Sequence, residues 1–169
     1  MVKLPSLTSD QLAIYLADHY AGATFGVELA RRVRGENHGT TYGDFLARLA
    51  AEIEEDRGEL EAIMDKLGVA RDPLKVTLAW AGEKVGRLKL NGHLRGYAPV
   101  SRVLELEGLI AGVSGKLALW RALKEIAPSE PRLDRESLDL LAERARRQLA
   151  GLREQHRRAA AAAFTRPDR

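Results

Sequence analysis

Leu12, Leu16, His19, Ala23, Gly26, Ala30 and Val33 recur every three or four positions, the period of one face of an α-helix. The pattern predicts a helix over 9–33, opened by Thr8 and Gln11 at the spacing of a capping box and broken by "RGENHGT". Phe45, Leu49, Ile53, Asp56, Leu60, Ile63 and Leu67 repeat the period over 41–67. Thr41 and Asp44 form a second box-like pair at its start, and Gly68 is a natural stop.

Asp72 followed by Pro73 is a strong helix start, a side-chain cap ahead of a residue whose fixed φ suits the first turn. It opens a shorter helix over 73–90. "NGHLRGYAPVS" is irregular, and no strand-like alternation flanks its Asn91-Gly92 turn. Val103, Leu106, Ile110, Val113, Leu117, Trp120 and Leu123 then mark a helix over 99–126, ended by "APSEP". Asp134 caps the last one, over 134–163, with Leu138, Leu141, Ala145, Leu149, Leu152, His156 and Ala159 inside. Four helices of about 25 residues, with two short connections and one long one, predict an all-α four-helix bundle with an additional short crossover helix. The whole chain, 1–169, reads as one domain.

Composition agrees with this. Hydrophobic residues are 45%, charged residues 30% and aromatics only 5%, and the dominant Ala, Leu, Arg and Glu lose little side-chain freedom on a helix. With no cysteine, disulfides, thiolate nucleophiles and Cys-ligated metals are excluded. "MVKLPSLTSDQ" lacks the apolar run of a secretory leader, and no stretch approaches the roughly 20 apolar residues that span a bilayer, so a cytoplasmic protein is expected. The net charge of +3 is mild and distributed by segment: 44–65 is acidic, 71–95 and 144–158 are basic. Opposite-sign segments of this kind read as neighbours across helix seams.

Two antiparallel helices, a long crossover and two more helices resemble the layout of the ferritin-like superfamily. "YLADHYAGATFGVELARR", followed by the acidic "EIEED" on the next helix, is similar to that superfamily's first pair. The resemblance implies a ferritin-like bundle and, where a di-iron centre is present, oxidase, storage or oxygen chemistry. Such centres take a Glu from each of two helices and a Glu-x-x-His pair from each of the other two. Here no Glu-x-x-His occurs. "ENH" and "EQH" are the nearest approaches, and their spacing puts Glu and His on different helix faces. The metal site is therefore expected to be degenerate.

The polar groups on or near the inner stripes are His19, Glu52, Asp56, Glu107, Lys116, Gln148 and His156. Counted at about 1.5 Å per residue, His19 lies about 15 Å from the start of its helix and Asp56 about 16 Å from the end of the next, matching heights in an antiparallel pair. With the following long helix parallel to the second, Asp56 falls level with Ser114, beside Lys116. A lysine there neutralises an inward carboxylate and competes with a divalent metal. The expectation is a buried polar network of His19, Asp56 and Lys116 with no cofactor. The alternative is a metal-binding oxidoreductase or iron-handling protein, with iron or another divalent metal on His19, Glu52 and Asp56. Glu54, Glu55, Glu59 and Glu61 project away from the apolar stripe or lie at its edge, as a solvated face or as partners for arginines on neighbouring helices.

Other signals weigh less. "GVSGK" resembles a phosphate-binding loop but lacks the first glycine and the hydroxyl residue of G-x-x-x-x-G-K-[ST]. Gly108, Ala111, Gly112 and Gly115, with Gly22, Ala23 and Gly26, read as a seam for close helix approach. The basic segment 82–97 has one aromatic, Tyr97, too few for base stacking, which argues against nucleic acid. Lys84, Arg87, Lys89 and Arg95 are its candidates for binding phosphate or an acidic partner. His38 and His93 fall in loops. With no catalytic set, the chain reads as a non-catalytic interaction or structural protein whose partner is a protein, a second copy included.

Overall fold

The computed structural model describes residues 10–71 and 97–165. They form four long helices, α1 (Asp10–Glu36), α2 (Gly43–Leu67), α3 (Pro99–Ile126) and α4 (Arg135–Phe164), with a short 3-10 turn, Ala127–Ser129, between the last two. No strand occurs among the described residues, and none of the helices is long and apolar enough to cross a membrane.

The helix ends follow from local chemistry. Gly68 takes a left-handed φ of 70° and its N–H bonds to Asp65 O at 3.1 Å, while Val69 N–H reaches Met64 O at 2.9 Å. Together these close the last turn of α2 in a Schellman motif. Pro99 opens α3, where its missing N–H costs nothing. The Asp134 carboxylate accepts from the N–H groups of Glu136 and Ser137 and caps α4.

Two ends differ from expectation. α1 does not stop at Val33 but runs through Gly35 to Glu36. Buried Asn37 holds that last turn, because its backbone N–H and its side-chain amide both bond to Val33 O, at 3.2 and 2.8 Å. Thr41 does not cap α2, which begins at Gly43 with no side-chain cap. Thr40 does the local work instead, its hydroxyl donating to Asn37 O at 2.8 Å and accepting from Tyr42 N at 3.2 Å. The Thr8 box and the 73–90 helix lie outside the described residues.

Cross-helix contacts set the directions. Arg31 pairs with Glu54 and Tyr20 Oη donates to Glu61 at 3.0 Å, so α1 and α2 are antiparallel. Arg32 meets Glu105 at 3.0 Å and Arg102 Nε meets Asn37 Oδ1 at 2.5 Å, so α1 and α3 are antiparallel too. Lys124–Asp139 and Glu107–His156 give the same sense to α3 and α4. It follows that α2 and α3 run parallel, and the end of one and the start of the other lie at opposite ends of the bundle. The inner stripes meet in one apolar core whose most buried members include Leu16, Leu46, Leu60, Met64, Leu106, Trp120, Leu123, Leu138 and Leu152. Each fully buried side chain of this size stabilises by about 1.5–3 kcal/mol.

The glycines do not form the expected tight seam. A Cβ on Gly108 would sit 3.1 Å from Leu29 Cδ2, but on Gly22, Gly26, Gly112 or Gly115 it would meet nothing within 4 Å. The close approach of glycine is elsewhere, at Gly151, where a Cβ would come within 2.4 Å of the Phe45 ring. Gly26→Ala is therefore expected to stabilise by about 0.5–1 kcal/mol, since glycine in a helix interior costs that much against alanine. In Gly151→Ala the same gain is opposed by about 1–3 kcal/mol of overpacking, and a net loss is expected. Chemical denaturation of the two variants checks both signs.

At the far end from the α1–α2 loop, Arg132 donates to Leu67 O at 3.3 Å, satisfying an end carbonyl of α2, and grips buried Glu130 at 2.7 Å. The hydrogen bonds from Arg132 hold the Glu130 carboxyl down to about 2 from 4.5, against the opposing effect of burial. The folded pKa is depressed, so the stability it contributes is complete above about 4.5 and is lost as pH falls toward 2. Glu130→Gln is expected to be less stable at neutral pH and to lose less between those limits, as urea midpoints across that pH range would show.

A buried charge cluster as the candidate functional site

Asp56 occupies the inner stripe of α2 between Ile53 and Leu60 and is 2% exposed. A carboxylate so buried needs partners on the neighbouring helices, and it has three. Lys116, on α3, bonds to Asp56 Oδ2 and to Gln148 Oε1, the latter at 2.6 Å. Arg144 Nη2, on α4, lies 2.5 Å from Asp56 Oδ1, and its Nη1 reaches Glu55 Oε2 at 3.0 Å. Gln148 Nε2 donates to Glu52 Oε2 at 2.9 Å and to Asp56 Oδ2 at 3.1 Å.

Helix periodicity explains the convergence. Glu52 and Asp56 are four apart on α2, Arg144 and Gln148 four apart on α4, so each pair stacks on one face. The parallel run of α2 and α3 then sets Lys116 level with Asp56. Burial pushes the Lys116 ammonium below its ordinary pKa, and Arg144 acts in the same direction. The Asp56 charge and hydrogen bond, with Glu52, oppose that fall.

The structure brings together Asp56, Lys116 and Glu52, the last through Gln148, but not His19. His19 packs its ring edge-on against Tyr15 at 4.5 Å, and burial lowers its pKa, with Asp18 opposing. The height match fails for a physical reason. The side-chain pairs across the α1–α2 seam fix the register, and neither pair of helix ends reports it. Arg31 faces Glu54 and Tyr20 faces Glu61, which puts His19 about 9–15 Å along the axis from Asp56. Glu107 and His156 pair with one another on the α3–α4 seam at 3.0 Å, outside the cluster.

Arg144 was not singled out by the sequence pattern, which marked only the basic segment 144–158 as a neighbour of the acidic one across a helix seam. The available signal was its place four residues before Gln148. A second network was also missed. Tyr97 Oη donates to Glu105 Oε2 at 2.6 Å and accepts from Asn37 Nδ2 at 3.1 Å. The Arg102 guanidinium lies 4.6 Å from the centre of the Tyr42 ring and 5.2 Å from that of Tyr97. Burial, then the bond to Glu105, pushes the Tyr97 phenol up. Tyr97 is thus a tie between the start of α3 and the end of α1. Lys84, Arg87, Lys89, Arg95 and His93 lie outside the described residues, and His38 is exposed.

As a metal donor set the cluster does not fit. Asp56 already accepts from an ammonium and an amide and is ion-paired with a guanidinium, and a cation entering there would have to displace two fixed positive charges. No group of three or more His, Asp or Glu side chains able to hold a metal ion converges among the described residues. No protein-family model matches the chain, and neither a curated protein nor a solved structure does.

Removing one member of a buried charge set leaves the others uncompensated, which typically costs about 3–5 kcal/mol. Asp56→Ala strands Lys116 against Arg144 and should lose stability of that order. Lys116→Met leaves Asp56 with Arg144 and Gln148 and should lose distinctly less. Urea denaturation of the two variants gives the ranking directly.

Proposed function

We propose that the chain is a non-catalytic interaction or structural protein of the cytoplasm, a ferritin-like bundle whose di-metal site is degenerate. The reading rests on the Asp56 cluster. In the core of the bundle, where di-iron carboxylate proteins project ligands inward, this chain sets Lys116 and Arg144 on the carboxylate. The helix order supports the ferritin-like layout, with two antiparallel pairs and α2 parallel to α3. The partner is a protein, and self-association is the simplest form of it.

Metal titration tests the reading. Protein purified without chelators and titrated anaerobically with Fe(II) is expected to bind no stoichiometric metal and to gain no thermal stability from it, since binding to the folded state alone would raise stability by mass action. Close to two equivalents per chain, lost in Asp56→Ala, would make it a metalloprotein and overturn the reading.

A further inference from the structure

The outward side of α3 is unlike that of α4. Positions 100, 104, 107, 111, 114, 118, 121 and 125 alternate in steps of four and three, and every one is exposed. Val100 and Leu104 are the large apolar residues there, 46% and 39% exposed. Ala111, Ser114 and Ala118 follow, and no charged side chain faces outward between Glu107 and Arg121, because Lys116 turns inward to Asp56. The outward side of α4, by contrast, is crowded with Arg and Glu.

Steps of four and three are the spacing of a seam between two helices crossing at about 20°, and small side chains allow the axes to approach to about 8 Å. The charges on this face have a symmetry of their own. Glu107 lies seven residues before Ser114 and Arg121 seven after, about 10 Å on either side along the axis. Two α3 helices laid antiparallel across a two-fold axis at Ser114 bring each Glu107 opposite the Arg121 of the other copy. Ala111 then meets Ala118, and Ser114 meets itself. An isologous interface requires such self-complementarity, with residue i against j and j against i. Both charges are available for it. Arg121 has no ion-pair or hydrogen-bond partner among the described residues. Glu107 uses Oε1 for His156, at 3.0 Å, and has Oε2 to spare.

We propose that the chain forms an antiparallel homodimer through the outward face of α3, centred on Ser114 and bracketed by two Glu107–Arg121 pairs. This deepens the interaction-protein reading and rests on it. A single helix face is small against the roughly 20–30 residues a side of a stable interface, so the dimer is weak and depends on concentration.

Sedimentation equilibrium over a concentration series is expected to show a monomer–dimer equilibrium. Glu107→Arg and Arg121→Glu each turn two attractive pairs into two repulsive ones and should weaken the dimer about tenfold or more, and the double exchange should restore it. The chain has no cysteine, so Ser114→Cys places a lone thiol on the axis. It should oxidise to a disulfide-linked dimer far faster than Ala150→Cys on the exposed side of α4. All these positions are exposed, and circular dichroism checks that the variants fold. A dimer indifferent to both single exchanges, with Ser114→Cys no faster than Ala150→Cys, overturns the proposal while leaving the non-catalytic reading in place. A monomer at every concentration overturns it as well. The broader reading falls only to stoichiometric metal.

Discussion

The Asp56 carboxylate is the point at which three of the four helices are held to one level. It sits in the core stripe of α2, and its charge is tolerable only because α3 delivers Lys116 and α4 delivers Arg144 and Gln148 at the same height. Apolar packing alone does not enforce this, since leucine stripes interdigitate at several registers with similar energies. A one-residue slip of α3 would rotate Lys116 about 100° around the axis and part its ammonium from Asp56 and Gln148. Desolvation makes the cluster a modest source of net stability, but it makes the wrong registers costly.

Two further polar ties act at the ends. At the loop end, Asn37 closes α1 through Val33 O, accepts from Arg102 and donates to Tyr97, so the first turn of α3 is fastened to the last turn of α1. At the other end, Arg132 joins the Glu130 carboxylate to the last carbonyl of α2, fixing the α3–α4 turn over the end of α2. The polar ties therefore stand at three heights along an otherwise apolar core. Each joins helices that are distant in sequence, and each is built from a group that burial would penalise if its partner moved away.

How much of this was legible in the sequence depends on whether a feature is local. The stripes of α2, α3 and α4, the Gly68 stop, the Pro99 start and the Asp134 cap follow from periodicity and end chemistry within a few residues. Asp56 and Lys116 could be paired by counting rise along parallel helices, because an error of one residue is only about 1.5 Å. His19 could not be placed in the same way, since the register of α1 on α2 follows side-chain pairs that helix ends do not reveal. Arg144 was hidden because an arginine among arginines gives no sign of which one turns inward. The Tyr97–Asn37–Glu105 tie joins residues about 60 apart through side-chain geometry, which no spacing rule contains.

α3 shows how one helix can serve two environments. Its inward stripe carries the apolar core and one charge, Lys116, matched to α2 and α4. Its outward stripe carries almost no charge over the same turns, although solvated faces elsewhere in the bundle are dense with Arg and Glu. Small residues there cost little exposed apolar area, so solubility alone neither demands nor forbids them. Glycines at 112 and 115 with open space beside them sharpen the point: alanine would fit and would be the better helix former. Neither core packing nor helix propensity accounts for a stretch of that kind. A low, uncharged helix flank suits the close approach of another surface, and the placing of Glu107 and Arg121 around Ser114 is what the proposed second α3 would require.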